Sequence, residues 1–336
     1  MSESQRNRLN RPATHNSEAY RLYVTGRFYW NKRTEDGLKK AIECFEQATE
    51  KDSNYALAYV GLADTYIVLP QYGRISPSVA MPQAKEAAAK ALEIDADLPE
   101  AHASIAMFKH EDWDWVGAEK EFRRAIELSP NYSTAHHWYS LLLWITGRTD
   151  ESLVEITRAR ELDPLSPVIN AVLAGILLTA GRYESAVEQW QRTFELDPIF
   201  PEAHFGLSKA YWKHGHYQEA IIEAQKAASY SGTPRYVAGV ALALSAAGKK
   251  AEANSILKEL TRRSKDEYVS PFYFAGIYSV LGQREQAFEW LGKAYQLRDR
   301  NLNGIRNEPQ FDNIRSDSRF ADLLKRMRLT IPISPS

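Results

Sequence analysis

PEAHFGLSKAYWKHGHYQEAIIEAQKAASYSGT, residues 201–233, holds in one stretch the pattern that decides the architecture. Pro201 can open a helix, because the first helical position has no backbone partner for a donor. Leu207, Ser208 and Tyr211 then return at helical spacing, and Gly215 marks the stop. Glycine suits that place since it takes positive φ without a Cβ penalty. Beyond it come Ala220, Ala224 and Ala227. Their offsets of four and seven put all three on one face of a second helix. The stretch reads helix, tight turn, helix, turn.

Working outward from Ala220, a small residue recurs at Ala84, Ala118, Ser152, Ala186, Ala253 and Ala287, with successive separations of 34, 34, 34, 34, 33 and 34 along the series that includes Ala220. Four residues after each stands Ala88, Phe122, Ile156, Trp190, Ala224, Leu257 or Leu291, and three further Ala91, Ala125, Ala159, Thr193, Ala227, Leu260 or Ala294. Glycine precedes the anchor by five residues at Gly147, Gly181, Gly215, Gly248 and Gly282, and Pro130, Pro164 and Pro198 follow it by twelve. The other helix has its own small phase at Ala63, Ala106, Ser140, Ala174, Ser208, Ala241 and Ala275. Paired small positions let two antiparallel helices approach closely. A period of this length means a stacked array, in which each helix pair buries its apolar face on its neighbours.

These residues resemble the tetratricopeptide repeat, and the resemblance implies an all-α right-handed superhelix of antiparallel helix pairs, a TPR solenoid with a C-terminal capping helix. In this register seven repeats run from Ala56 to Asn301, with an irregular one before them from Ala19 to Asn54. The expected organisation is a disordered segment over 1–18, an array of about eight repeats over 19–301, a cap over 302–328 and a tail over 329–336. Between Ala63 and Ala84 the spacing is 21 rather than twelve, which predicts an inserted loop near 69–77. In another repeat Asp112-Trp113-Asp114-Trp115 replaces the turn glycine. The tail carries Phe311, Phe320, Leu323 and Leu324, with Ser316 or Asp317 placed to cap a last helix to about Arg328.

Composition narrows the function classes. The 336 residues are 44% hydrophobic and 25% charged, and their formal net charge of −1 supplies no positive field for nucleic acid or an anionic membrane. The single cysteine, Cys44, excludes an internal disulfide and a cysteine-based zinc site. The longest apolar runs, 171–180 and 237–247, fall well short of a membrane span, and the polar start has no secretory core. A cytoplasmic protein follows by default.

Catalysis and cofactors are not expected. No nucleophile elbow, phosphate loop, zinc-protease or dinucleotide motif stands in a supporting context. His102, His136 and His204 share the fourth position of their repeats, without a recurring cysteine or acidic neighbour beside them, which favours helix packing over metal ligation. The Asp112–Trp115 string favours tryptophans packed across helix ends over a carboxylate pair.

Function is left to the concave groove. The resemblance implies that positions 2, 5, 9, 12 and 13 of each repeat look into it, giving as candidate partner-binding residues Asp64, Met107, His137, Trp144, Phe205, Lys209, Trp212 and Lys213. Aromatic anchors ringed by a few polar groups suit a peptide hot spot. Lys209 and Lys213 flank Trp212 and can hold a carboxylate or phosphate while the ring takes an apolar side chain.

The expected function is a non-catalytic scaffold for a protein or peptide partner, with no nucleic acid, membrane, metal or cofactor, and with homo-oligomerisation open. A second, looser resemblance points to the C-terminal repeat regions of bacterial winged-helix regulators and serine/threonine kinases. It implies the alternative of a sensory or regulatory module whose output domain sits on another chain.

Overall fold

The computed structural model describes residues 13–329. Among these residues the helices come in eight consecutive pairs: α1 (Ser17–Asn31) with α2 (Glu35–Lys51), α3 (Ala56–Tyr72) with α4 (Pro77–Ile94), α5 (Pro99–Glu111) with α6 (Trp115–Leu128), and α7 (Ser133–Ile145) with α8 (Thr149–Leu162). Then follow α9 (Pro167–Thr179) with α10 (Tyr183–Leu196), α11 (Pro201–Lys213) with α12 (Tyr217–Ser231), α13 (Pro234–Ala246) with α14 (Lys250–Arg263), and α15 (Pro271–Val280) with α16 (Arg284–Gln296). Two 3-10 stretches, Arg300–Asn307 and Pro309–Ile314, lead to α17 (Ser318–Arg326). Among the described residues there is no strand. The array is all-α, in the class expected from the 34-residue period.

The period is a packing rule. All seven anchors from Ala84 to Ala287 have 0% exposure, and the small positions of the partner helices are buried as well. Two serines keep the rule by bonding across the pair: Ser152 Oγ donates to the Ser140 carbonyl and Ser208 Oγ to the Ala220 carbonyl, both at 2.7 Å. A buried hydroxyl is thus satisfied without added bulk. Aromatic wedges fill the space that glycines leave. A Cβ on Gly26 or Gly61 would stand 2.6 or 2.5 Å from the Phe45 ring, so these two positions admit nothing larger.

Turn chemistry also follows the sequence. Gly147, Gly181, Gly215, Gly248 and Gly282 all have φ between 75° and 85°. Trp113 occupies the equivalent turn at φ 59°, a left-handed conformation that costs a non-glycine residue about 1 kcal/mol or more. Its ring and that of Trp115 are each 3% exposed, as expected for tryptophans packed across helix ends. Asp114 caps α6 by accepting from the Gly117 amide.

Some boundaries differ from expectation. The first described helix starts at Ser17, two residues before the expected array, because Asn16 accepts from the Glu18 and Ala19 amides as its N-cap. Residues 1–12 of the expected disordered segment and 330–336 of the expected tail lie outside the described residues. The insertion near 69–77 is only in small part a loop. Helix α3 continues through Pro70 to Tyr72 and α4 begins at Pro77, so the extra residues mainly add about one turn to each helix. Asp317 caps the last helix by accepting from the Arg319 amide, one of the two caps expected.

The chain forms two compact units. Among the described residues the N-terminal one comprises 13–73 and Ser78–Trp138; the C-terminal one comprises Arg74–Pro77 and 139–329. In the N-terminal unit Trp30 meets Trp138 edge to face at 6.3 Å. In the C-terminal unit Ile156, Ile169, Leu173, Trp190, Phe200 and Leu207 belong to one buried apolar cluster. There α17 lies on α16, with Arg319 paired to Glu285 at 2.8 Å and stacked 4.0 Å over Phe288, and Arg326 3.9 Å over Tyr295.

Candidate functional site

The histidines at the fourth position are structural. His204 directs Nδ1 to Glu223 at 2.5 Å and Nε2 to the Pro198 carbonyl at 3.1 Å. His136 reaches the Pro130 carbonyl at 3.0 Å, and His102 meets Glu121 at 2.8 Å. In the α9–α10 repeat Asn170 and Gln189 take the same places: Asn170 Nδ2 donates to the Pro164 carbonyl at 3.1 Å and Gln189 Nε2 to Asn170 Oδ1 at 2.6 Å. The position ties the inter-repeat turn to both helices of a pair, and an amide does this as well as an imidazole. Burial opposes the charge on Glu223, but the hydrogen bonds from His204 and Lys226 outweigh it and hold the carboxylate below its usual range. No group of three or more His, Cys, Asp or Glu among the described residues is placed to hold a metal ion.

In the N-terminal unit three candidates are buried. Met107 has no exposed surface and His137 is 4% exposed. Asp64, on α3, accepts from Ser104 Oγ at 2.8 Å and pairs with Arg27 of α1 at 2.9 Å. Burial pushes its carboxyl up, and the neighbouring Arg27 and Ser104 offset this only in part. Arg27 in turn stacks 4.0 Å over Trp30. Asp64 thus ties three first helices and pairs, together with the aromatic rings, with a cation supplied by its own chain.

The other five candidates lie in the C-terminal unit, where the first helices share a face. Phe205 of α11 is buried against Gly239 of α13, whose added Cβ would stand 2.7 Å from its ring. Two cations approach that ring: Lys209 Nζ at 4.7 Å and the Arg235 guanidinium at 4.9 Å. Each holds a carboxylate. Arg235 pairs with Glu202 at 2.7 Å, and Lys209 donates to both oxygens of Glu308 at 2.9 and 3.0 Å. Burial raises the Glu202 carboxyl, yet Arg235 more than compensates and keeps it below the ordinary range. Trp212 is half-buried and Lys213 exposed. Lys209 and Phe205 are therefore brought together, whereas Lys213 stands free of that pair.

Glu308 belongs to the segment between α16 and α17. Asn307 Nδ2 donates to the Trp144 carbonyl at 3.0 Å, Arg306 Nη1 to the Thr146 carbonyl at 3.4 Å, and Asn313 Nδ2 to the Ser279 carbonyl at 3.3 Å. A Cβ on Gly304 would stand 3.2 Å from the Trp144 ring. Phe311 meets Phe272 of α15 edge on at 5.0 Å. Asp299 opens the segment, accepting from Ser270 Oγ, Tyr268 OH and the Asn301 amide. Burial pushes its carboxyl up against those hydrogen bonds.

The residues of this segment were missing from the sequence-derived candidates. One signal was available: Leu302 and Ile305, then Phe311 and Ile314, are spaced by three, the 3-10 period, and all four are buried.

This is a serial array of antiparallel helix pairs, closed at the end by a helix. It has the fold of a tetratricopeptide-repeat solenoid: residues 173–234 match the family model of the tetratricopeptide repeat, and the same helix pair recurs on either side at the same period. The crystal structure of yeast Tom70 superposes with a TM-score of 0.52 at 18% identity, covering 93% of this chain and 68% of that one, a likeness of fold. The structure of PilF from Pseudomonas aeruginosa gives a TM-score of 0.44 at 18% identity over 76% of this chain and 96% of that one. In sequence, the transcriptional regulator HilA of Salmonella typhimurium is 28% identical over 135 residues, 40% of this chain. The match spans 24% of HilA's own length. No helix among the described residues is long and apolar enough to cross a membrane.

Proposed function

We propose that this protein is a non-catalytic interaction scaffold that captures a peptide or partner protein on the first-helix face of its C-terminal unit. The observation that carries the reading is the row Phe205, Lys209 and Arg235: two cations within 5 Å of one phenyl ring, each engaged with a carboxylate. A buried aromatic platform edged by cations suits an apolar anchor next to an acidic side chain. Trp212 and Lys213 extend the row at the end of α11.

The test is capture from native lysate with the full chain beside a Trp212→Ala, Lys213→Ala variant, which leaves the Lys209–Glu308 pair in place. A partner retained equally by both forms refutes the face as the binding surface; loss confined to the variant supports it.

A second reading is favoured by the similarity to HilA, a transcriptional regulator. The array then serves as the sensory or regulatory part of a bacterial signalling system. Its mark is the captured partner's identity, a DNA-binding or kinase chain rather than an unrelated client.

A further inference from the structure

The segment after α16 does more than close the array. Covering the last helix pair is accomplished by α17, which packs on α16. Residues 300–315 go elsewhere. Asn301 meets Arg235 of α13 at 3.4 Å, Asn307 bonds the end of α7, Glu308 pairs with Lys209 of α11, and Phe311 meets α15. The segment thus visits the first helices of four pairs, up to 163 residues back in sequence, and no second helix is needed for any of these contacts.

Its manner of binding is that of a ligand. The side-chain donors of Arg306, Asn307 and Asn313 go to carbonyls at the ends of α7 and α15; the Trp144 and Ser279 carbonyls already accept from the Gly147 and Gly282 amides, and a second lone pair takes the segment's donor. The backbone is 3-10 over eight residues and then over six, whereas isolated runs beyond three or four are uncommon because the hydrogen-bond geometry is poor. That conformation persists because the surface beneath holds it. Arg315 ties it from behind by donating to the carbonyls of Arg306 and Glu308. The ionic contact with the face remains accessible, the Lys209 and Glu308 side chains being 20% and 16% exposed.

We infer that residues 300–315 are a resident ligand of this face, and that a partner segment presenting, like Glu308 and Phe311, a carboxylate near an apolar anchor binds by displacing them. The inference rests on the partner-capture reading above and adds its regulation. Apparent affinity for an outside peptide is the intrinsic affinity multiplied by the fraction of chains whose segment is released, so weakening the latch raises it in proportion.

The experiment uses the full chain and, as probe, a fluorescently labelled synthetic peptide of residues 300–315, followed by anisotropy. The natural chain should take the probe weakly, and an Asn307→Ala, Glu308→Gln variant at least about tenfold more tightly. Lys209→Glu should abolish the gain in the latch variant, and a probe with Glu308→Lys should restore it. Hydrogen exchange over 302–314 should quicken in the latch variant relative to the natural chain. If the double variant loses its helical circular dichroism, Glu308→Gln alone makes the same comparison. No gain in probe binding, with 302–314 still slow to exchange, overturns the inference and makes the segment a permanent part of the fold. The two readings fail separately. A latch variant that gains the probe, in a protein whose Trp212→Ala, Lys213→Ala form keeps its partner, retains the resident ligand and loses the partner surface.

Discussion

Breaking the Lys209–Glu308 pair tests whether the C-terminal segment is held by chemistry specific to the face. At 2.9 Å and an effective dielectric of about 20, the gross attraction is about 6 kcal/mol. Desolvating two groups that keep only 20% and 16% exposure cancels most of it. A net coupling of about 1–2 kcal/mol remains, above the range of exposed pairs and below that of dry ones. Lys209→Ala also forfeits its place over Phe205, about 0.5–1 kcal/mol more, which Glu308→Ala leaves intact. We therefore expect Lys209→Ala to be the costlier single change and the double variant to cost little more than it. The readout is hydrogen exchange at 302–314, since long arrays can unfold in parts and blur a global melt. Single effects that add to within about 0.3 kcal/mol would refute the coupling and the latch with it.

Four further outcomes follow from the same geometry. Because Glu223 titrates lower folded than unfolded, its contribution is present above the ordinary carboxylate pKa of about 4.3 and is lost as pH falls through the folded value. Replacing His204 and Glu223 by Asn and Gln, as Asn170 and Gln189 stand one repeat earlier, should flatten that acid limb in denaturation at pH 5 to 3. Gly215→Ala meets no atom within 4 Å at a φ of 80°, so calorimetry should show a loss of about 1 kcal/mol from backbone strain alone. Gly239→Ala drives a methyl to 2.7 Å from Phe205 and should cost about 1–3 kcal/mol while speeding exchange at 302–314; an unchanged segment would argue against the Phe205 platform. Asp64→Ala leaves Arg27 unpaired at 22% side-chain exposure, for a loss of about 2–3 kcal/mol in chemical denaturation, eased in Asp64→Asn.

Much of the fold was legible because its determinants are local and repeated. Residues 34 apart meet the same neighbours, so Ala84 through Ala287 announce their buried face by period, and the five turn glycines announce their φ by chemical type. The fourth-position histidines were readable as packing residues, although their proline-carbonyl partners emerged only from the structure. The insertion near 69–77 misled because proline and glycine signal a break, while helix α3 tolerates Pro70 among buried neighbours. Trp113 shows the converse, a turn made without glycine because the buried ring offsets the strain.

The candidate site divides along the same line. The sequence by itself determined which side chains stand on the first helices, since heptad-like spacing decides a helix face before any neighbour is known. It could not tell that Asp64 is paired with Arg27, or that Lys209 spends its charge on Glu308, 99 residues away. Those pairings join positions with no common period. Only the tertiary structure, by carrying 300–315 across the first helices of four pairs, decided which cations are engaged and which, like Lys213, stand clear. A periodic pattern encodes contacts that repeat; a segment that crosses the repeats makes each contact once, and although its spacing by three marks its buried side, that spacing does not name its partners.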